Sequence, residues 1–161
     1  MRRLCLTLLV IFLAAPAALA SPGAANDGVF EVRAANVASA TVVGQRGTLW
    51  GQMDKGRLVV TDVLPGDGQI FVSGAKPKPG SADNVTVYTG RDIHFRVTGG
   101  KYKLYFVGSG IDLTAVGIGV ATLTGDIEAL ETGDYALDGG KWTPVPYLKR
   151  VIPFGVQPAG P

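Results

Sequence analysis

The only histidine of the chain, His94, is the side chain best suited to proton transfer near neutral pH. It falls in an alternating, strand-like segment and shares one face of that segment with Asp92 and Arg96. No Gly-x-Ser-x-Gly motif occurs, so no nucleophile elbow is indicated. We therefore predict no catalytic residue and interpret His94 as a solvated strand residue, and we keep a hydrolase as the weakest alternative.

Five carboxylates lie within 13 residues and form the second group that could do chemistry. Calcium sites need several oxygen ligands, but the spacing fits no EF-hand loop. A glycosidase pair would need two of these acids to converge across a cleft, and their spacing does not indicate that. We predict a solvated acidic loop, no metal site and no cofactor. The five are Asp126, Glu128, Glu131, Asp134 and Asp138.

Basic side chains follow a predicted hairpin that turns at Gly99-Gly100, where a tight loop needs positive φ. In that register Arg96 lies opposite Lys103, and like charges directly opposed cost stability. His94 and Lys101 lie on the same predicted face. This face is a candidate site for an anionic ligand or partner, although solvent or a neighbouring acid could also balance it.

Trp50 is the aromatic residue that we expect at the surface. It falls on the polar face of a second predicted hairpin, which turns at Lys55-Gly56 and places the indole near Val59. An exposed indole could stack on a sugar or anchor a partner, whereas a second sheet or a loop would bury it. The predicted binding residues are therefore His94, Arg96, Lys101, Lys103 and Trp50.

The elements that would carry these residues are short alternating segments separated by Gly, Pro, Asp and Asn, a pattern typical of an all-β sandwich or barrel. We predict a single antiparallel sandwich, of Greek-key type, with a small β-barrel as the alternative. The predicted strands are 29–34, 40–43, 48–53, 57–62, 69–73, 84–89, 92–98, 101–107, 111–116, 118–124, 134–137 and 141–145.

Alternation also predicts which side chains are buried. The uncharged run after Asp112 is expected to pass through the centre of the sheet, with Gly117 and Gly119 allowing a close backbone approach or a bulge. A third hairpin should turn at Gly139-Gly140, with Trp142 on its return strand. The predicted inward residues are Leu49, Met53, Leu58, Val60, Ile93, Phe95, Val97, Tyr102, Leu104 and Phe106.

The N-terminus has the three parts of a secretory signal peptide. Arg2 and Arg3 precede an apolar run, Pro16 follows it, and Ala18-Leu19-Ala20 supplies the small residues of a cleavage site. The apolar run is marginal against the roughly 20 residues of a membrane span. We predict cleavage after residue 20, with an uncleaved anchor as the alternative and the membrane involved only in that case.

Cleavage would change the composition of the chain. The whole chain has 15 Lys and Arg against 13 Asp and Glu, and loss of Arg2 and Arg3 makes the two sets equal. That balance argues against a nucleic-acid partner, which normally needs clustered basic charge. The only cysteine of the chain, Cys5, would be removed with the signal peptide. That removal excludes thiol chemistry and a disulfide framework from the mature domain.

The chain is therefore divided into a signal peptide at 1–20, a flexible leader at 21–28, one β domain at 29–152 and a loose tail at 153–161. Residues 126–131 could form one helical turn. The loop at 74–83 cannot be a central strand, because its prolines remove ladder donors.

Two stretches, Gly47–Asp62 and Gly108–Gly125, resemble segments of small uncharacterised secreted proteins from high-GC Gram-positive bacteria. The resemblance implies export and a β-rich domain, and it implies no activity. We predict an exported, non-enzymatic interaction module of the cell envelope or exterior, whose partner is an envelope component or a protein. The alternative is a binding protein for an apolar or anionic small molecule, lipid or glycan.

Overall fold

A computed structural model describes residues 26–156, and every regular element in that range is a β-strand. The predicted signal peptide, most of the predicted leader and the last five residues of the predicted tail lie outside the described residues. The strands are β1 (Gly28–Asp62), β2 (Gly68–Ser73), β3 (Pro77–Pro79), β4 (Val85–Gly99), β5 (Tyr102–Gly125), β6 (Asp134–Leu137), β7 (Thr143–Pro144) and β8 (Arg150–Phe154).

All pairings are antiparallel and belong to one continuous sheet, in which β1 and β5 pair twice in two different registers. Following the paired residues resolves this sheet into two layers. The front layer runs in the order β6, 28–34, 111–117, 47–53, 92–98, β2. The back layer runs in the order β8, 119–125, 37–44, 102–108, 56–62, 85–90, β3. The sheet does not close into a barrel, and the predicted all-β sandwich is confirmed.

Strands β1, β4 and β5 pass through both layers, and paired glycines mark two of the corners of β1 and β5. Gly47 lies opposite Gly117, and Gly56 lies opposite Gly108. All four have positive φ, between +121° and +153°, where an L side chain is strained. A side chain at Gly56 would also collide with the backbone of Val107 and Gly108. Both strands can therefore bend together from one layer to the other.

The core lies between the layers, as ring contacts across it show. Phe95 of the front layer meets Phe106 of the back layer with ring centroids 5.2 Å apart. Phe30 stacks on Phe154 at 5.8 Å. The inward residues predicted from alternation are confirmed, since all ten are buried: Leu49, Met53, Leu58, Val60, Ile93, Phe95, Val97, Tyr102, Leu104 and Phe106.

Two predicted hairpins are wrong because the chain changes layer where we expected it to reverse. Gly99 and Gly100 do have positive φ, but they join front-layer β4 to back-layer β5, and these two strands do not pair with each other. At Lys55-Gly56 β1 continues without a turn. Arg96 therefore does not face Lys103, and Trp50 does not lie near Val59.

Of the predictions for the rest of the chain, one is confirmed and others are wrong in part. The third hairpin is confirmed, since β6 pairs with β7, although Trp142 lies in the connecting loop. Residues 126–131 form a turn and no helix. The predicted tail is wrong at its start, because Pro153 belongs to β8. The proline loop supplies β3 at the edge of the back layer, where missing ladder donors are tolerated.

Candidate ligand-binding groove

The outward face of the front layer carries a row of large side chains that crosses five strands. Glu31 pairs with Thr114, and Thr114 with Trp50. Trp50 in turn pairs with Arg96, and Arg96 with Phe71. Neighbouring strands lie about 4.8 Å apart, so the row extends over roughly 19 Å, with about 10 Å between Trp50 and Phe71.

This row forms the floor of a surface groove of about 1140 Å³. The aromatic rings in it are accessible, since Trp50 is 43% exposed and Phe71 is 65% exposed. A neighbouring row adds His94, Gln52 and Asp112 to the lining. Apolar surface with a few polar groups is the usual composition of a ligand site.

Trp142, which the loop between β6 and β7 carries, also lines the groove. The Arg33 guanidinium lies 4.4 Å from the centroid of the Trp142 ring, within the range of a cation–π contact. Arg33 also reaches the Asp134 carboxylate at 3.5 Å. The hairpin loop and the first strand are therefore held together at the point where the indole enters the groove.

Asp112 supports the floor of the groove. Its carboxylate accepts a 2.7 Å hydrogen bond from the backbone N–H of Ala34, at the corner where β1 leaves the front layer. It also accepts a 3.3 Å hydrogen bond from the side-chain amide of Gln52. Ala34 has a φ of +49°, so this carboxylate holds a strained corner in place. Asp112 thereby fixes the position of Gln52 beside Trp50.

The charges that line the groove balance. Glu31 and Asp112 supply two negative charges, and Arg33 and Arg96 supply two positive ones. With His94 neutral, the formal charge of the lining is zero. This balance favours ligands that offer hydroxyl and amide groups over strongly anionic ones.

His94 lies beside Gln52 and Ser73 in the ladder and is exposed. The carboxylate of its own row, Asp112, is two strands away, about 10 Å between backbones, and is already hydrogen-bonded to other groups. Among residues 26–156, no group of three or more His, Asp or Glu side chains is placed to hold a metal ion.

The structure brings three of the five predicted binding residues, Trp50, His94 and Arg96, into this groove. The other two lie elsewhere. Lys103 belongs to the back layer, where it pairs with Val43 and Thr61. Lys101 follows the Gly99-Gly100 connection, and its backbone N–H donates to Asp67 at 2.9 Å. The predicted basic face is thus divided between the two layers.

Sequence reasoning missed most other residues of the groove, among them Glu31, Arg33, Phe71 and Trp142. Glu31 and Arg33 stand at outward positions of a strand that alternation had identified, and that pattern was the available signal. The position of Trp142 depends on pairing between β6 and β1, which lie about a hundred residues apart. Local sequence does not encode that contact.

The glycines of the 111–125 run do not open a ligand cavity. Gly117 packs against the backbone of Arg46 and Gly47. Gly119 packs against the Phe154 ring and the carbonyl of Val43. The room that these glycines leave is therefore filled by the protein itself.

No known protein family matches this chain, and neither the curated proteins nor the solved structures contain a significant match to it. The resemblance to small secreted bacterial proteins stays a prediction. Within the described part of the chain there is no helix of the length and apolar character needed to cross a membrane.

Proposed function

We propose that this protein is an exported, non-enzymatic interaction module that binds a glycan chain across the outward face of its front layer. The observation that carries the proposal is the row Glu31, Thr114, Trp50, Arg96 and Phe71, which places exposed rings and polar groups along one line. The rings would stack on the apolar faces of sugar rings. The polar groups between them would hydrogen-bond to hydroxyls.

The dimensions of the row suit an elongated ligand. Its roughly 19 Å length is near that of four linked hexoses, and the roughly 10 Å between Trp50 and Phe71 is near the repeat of a disaccharide. Trp142 extends the aromatic surface at the Glu31 end. The zero formal charge of the lining supports a neutral glycan over an acidic one.

Calorimetric titration of the full chain against tetrasaccharides tests the proposal. The panel contains cellotetraose, chitotetraose, xylotetraose and mannotetraose, with tetragalacturonic acid as the acidic comparison. We expect binding to at least one neutral tetrasaccharide, and weaker binding to the acidic one. Trp50→Ala should weaken that binding about tenfold, whereas Tyr105→Ala, which removes an aromatic ring from the back layer, should not change it.

Three outcomes would count against the proposal. If no tetrasaccharide binds, or if Trp50→Ala binds as well as the original chain, the groove is not a glycan site. Shortened sugars that form only when Glu31 or His94 is intact would instead assign the groove to a hydrolase. Chromatography of the titrated mixtures distinguishes these results.

A further inference from the structure

A second groove lies at the bend where β1, β4 and β5 change layer. It is an open depression of about 1010 Å³, and it shares no lining residue with the front-layer groove. Lys55, Arg57 and Arg91 line one wall, and the turn at 126–131 forms the other. The two walls carry opposite charge.

The basic wall holds cations close together. Lys55 lies directly opposite Arg91 in the ladder between β1 and β4, and Arg57 follows two residues later. Like charges in that position destabilise a sheet. All three side chains are exposed, and the ion pairs found within residues 26–156 involve Arg33 and Arg46 instead. The basic wall therefore holds three cations that form no ion pair within residues 26–156.

The acidic wall has a shape fixed by its own hydrogen bonds. The Asp126 carboxylate accepts the Glu128 backbone N–H at 3.0 Å. The Glu131 carbonyl accepts the Asn36 side-chain amide at 2.7 Å. This contact uses the backbone carbonyl of Glu131, whereas its side chain is exposed and lines the groove.

Large apolar side chains project from the same end of the molecule. Ile127 is 82% exposed, and Leu130, which lines the groove, is fully exposed. The adjoining loop exposes Leu148 as well, and a 2.8 Å hydrogen bond from Gly125 to the Pro146 carbonyl ties the two loops together. Clustered exposed apolar side chains of this kind mark interaction surfaces.

We propose that this end of the protein binds the surface of a membrane that contains a zwitterionic phospholipid. Lys55, Arg57 and Arg91 bind the headgroup phosphate, and Glu131 receives the headgroup ammonium. Ile127 and Leu130 enter the boundary between headgroups and acyl chains, as apolar side chains of peripheral membrane proteins do. A purely anionic headgroup would satisfy the basic wall but leave the acidic wall facing like charge.

A fluorophore on the loop tip tests the proposal in the full chain. The chain has one cysteine, so Cys5→Ser followed by Leu130→Cys gives a single site for the environment-sensitive dye NBD. A matched probe at Ser81→Cys, an exposed position in the proline loop, controls for attachment of the protein through any other segment. One set of vesicles is made of phosphatidylcholine with phosphatidylethanolamine, whose headgroups are both zwitterionic, and the other is made of phosphatidylglycerol alone.

We expect the probe at position 130 to brighten and shift to the blue with phosphatidylethanolamine vesicles, while the probe at position 81 does not. Arg57→Gln should weaken the apparent affinity for these vesicles about tenfold, because a charge-assisted hydrogen bond to the headgroup phosphate is lost. Glu131→Gln should weaken binding to phosphatidylethanolamine and strengthen binding to phosphatidylglycerol. Lys103→Gln, which removes a cation from the back layer, should change neither.

Several results would overturn the proposal. No response at position 130 with any vesicle would exclude a membrane surface and leave a protein partner for these loops. Equal responses at positions 130 and 81 would show attachment that does not involve this groove. A response that phosphatidylglycerol gives more strongly, and that Glu131→Gln leaves unchanged, would exclude the zwitterionic headgroup. Circular dichroism of each variant verifies that the fold is intact.

Discussion

The outward faces of the two layers share one architecture but differ in chemistry. The central row of the front layer is Glu31, Thr114, Trp50, Arg96 and Phe71. The equivalent row of the back layer is Val151, Thr122, Thr41, Tyr105, Val59, Val87 and Lys78.

β-Branched residues dominate the back row, and these are the residues that fit a pleated, half-buried surface. The sheet needs nothing more than such residues to form there. In the front row the long charged and aromatic side chains are additional to that requirement. This difference is one reason for proposing the front row, and not the back row, as the ligand site.

Substitution of a buried side chain should have the largest effect on stability, and it gives a standard against which substitutions on the two outward faces can be compared. Phe106 is buried against Phe95, whereas its neighbour Tyr105 points outward and is half-buried. Phe106→Ala should lower the free energy of unfolding by about 3–5 kcal/mol through a cavity, and Tyr105→Ala should cost much less. Urea denaturation measures both. Equal losses would contradict the assignment of inward and outward faces.

A second large effect should appear at high pH. Burial raises the pKa of Tyr102 to about 12 from its ordinary value of 10.0, because its hydroxyl lies out of water against Gly44. The folded state therefore holds this proton where the unfolded state releases it. The free energy of unfolding therefore does not depend on this group below pH 10. Between pH 10 and 12 it falls by about 3 kcal/mol, because the unfolded state loses the Tyr102 proton first.

Tyr102→Phe removes the titrating group and serves as the control for this loss. Within residues 26–156 the Tyr102 hydroxyl has no hydrogen-bond partner, so the variant should be at least as stable at neutral pH. Its unfolding free energy should decline less between pH 10 and 12 than that of the original chain. A decline of the same size in both proteins would show that Tyr102 does not cause it.

Ligand binding should distinguish the two outward faces directly. Trp50→Ala should weaken binding of the preferred tetrasaccharide about tenfold, since stacking and buried area are both lost. Tyr105→Ala, on the back row, should leave affinity unchanged. Calorimetry on both variants measures the difference, and equal effects would mean that the front row has no special role.

The smallest effect should come from the residue that holds one end of the groove. Arg33→Gln removes the cation from the face of Trp142 and the contact with Asp134. An exposed contact of this kind is worth little, so affinity should decrease about threefold and stability should hardly change. A loss as large as that of Trp50→Ala would mean that Arg33 itself binds the ligand.

Much of the fold could be predicted from alternation alone. The inward side chains and the sandwich class were predicted correctly, and eleven of the twelve predicted strands coincide closely with segments of the two layers. The predicted strand 141–145 is reduced to β7, and β3 and β8 were not predicted. Glycines at positions 56 and 99–100 were interpreted as hairpin turns, but they carry the chain from one layer to the other. Positive φ is required in either case, so composition could not distinguish a reversal from a corner.

The candidate groove could be predicted only in part, because local sequence fixes the face of a strand but not which strands pair. Trp50, His94 and Arg96 were chosen correctly as outward residues, because alternation fixes the face of a strand. Lys103 was grouped with them through the wrong hairpin register. Phe71 and Trp142 join the groove through pairings between distant strands, which depend on packing of the whole sheet.

Intrinsic fluorescence offers the most direct test of the front row as a ligand site, because both tryptophans of the chain, Trp50 and Trp142, line the groove. Titration with the tetrasaccharide that binds in calorimetry should shift their emission to the blue, with the same midpoint as the heat signal. The shift should decrease in Trp50→Phe, and Tyr105→Ala should not alter it. Calorimetric binding with unchanged tryptophan emission would place the ligand elsewhere and contradict the account.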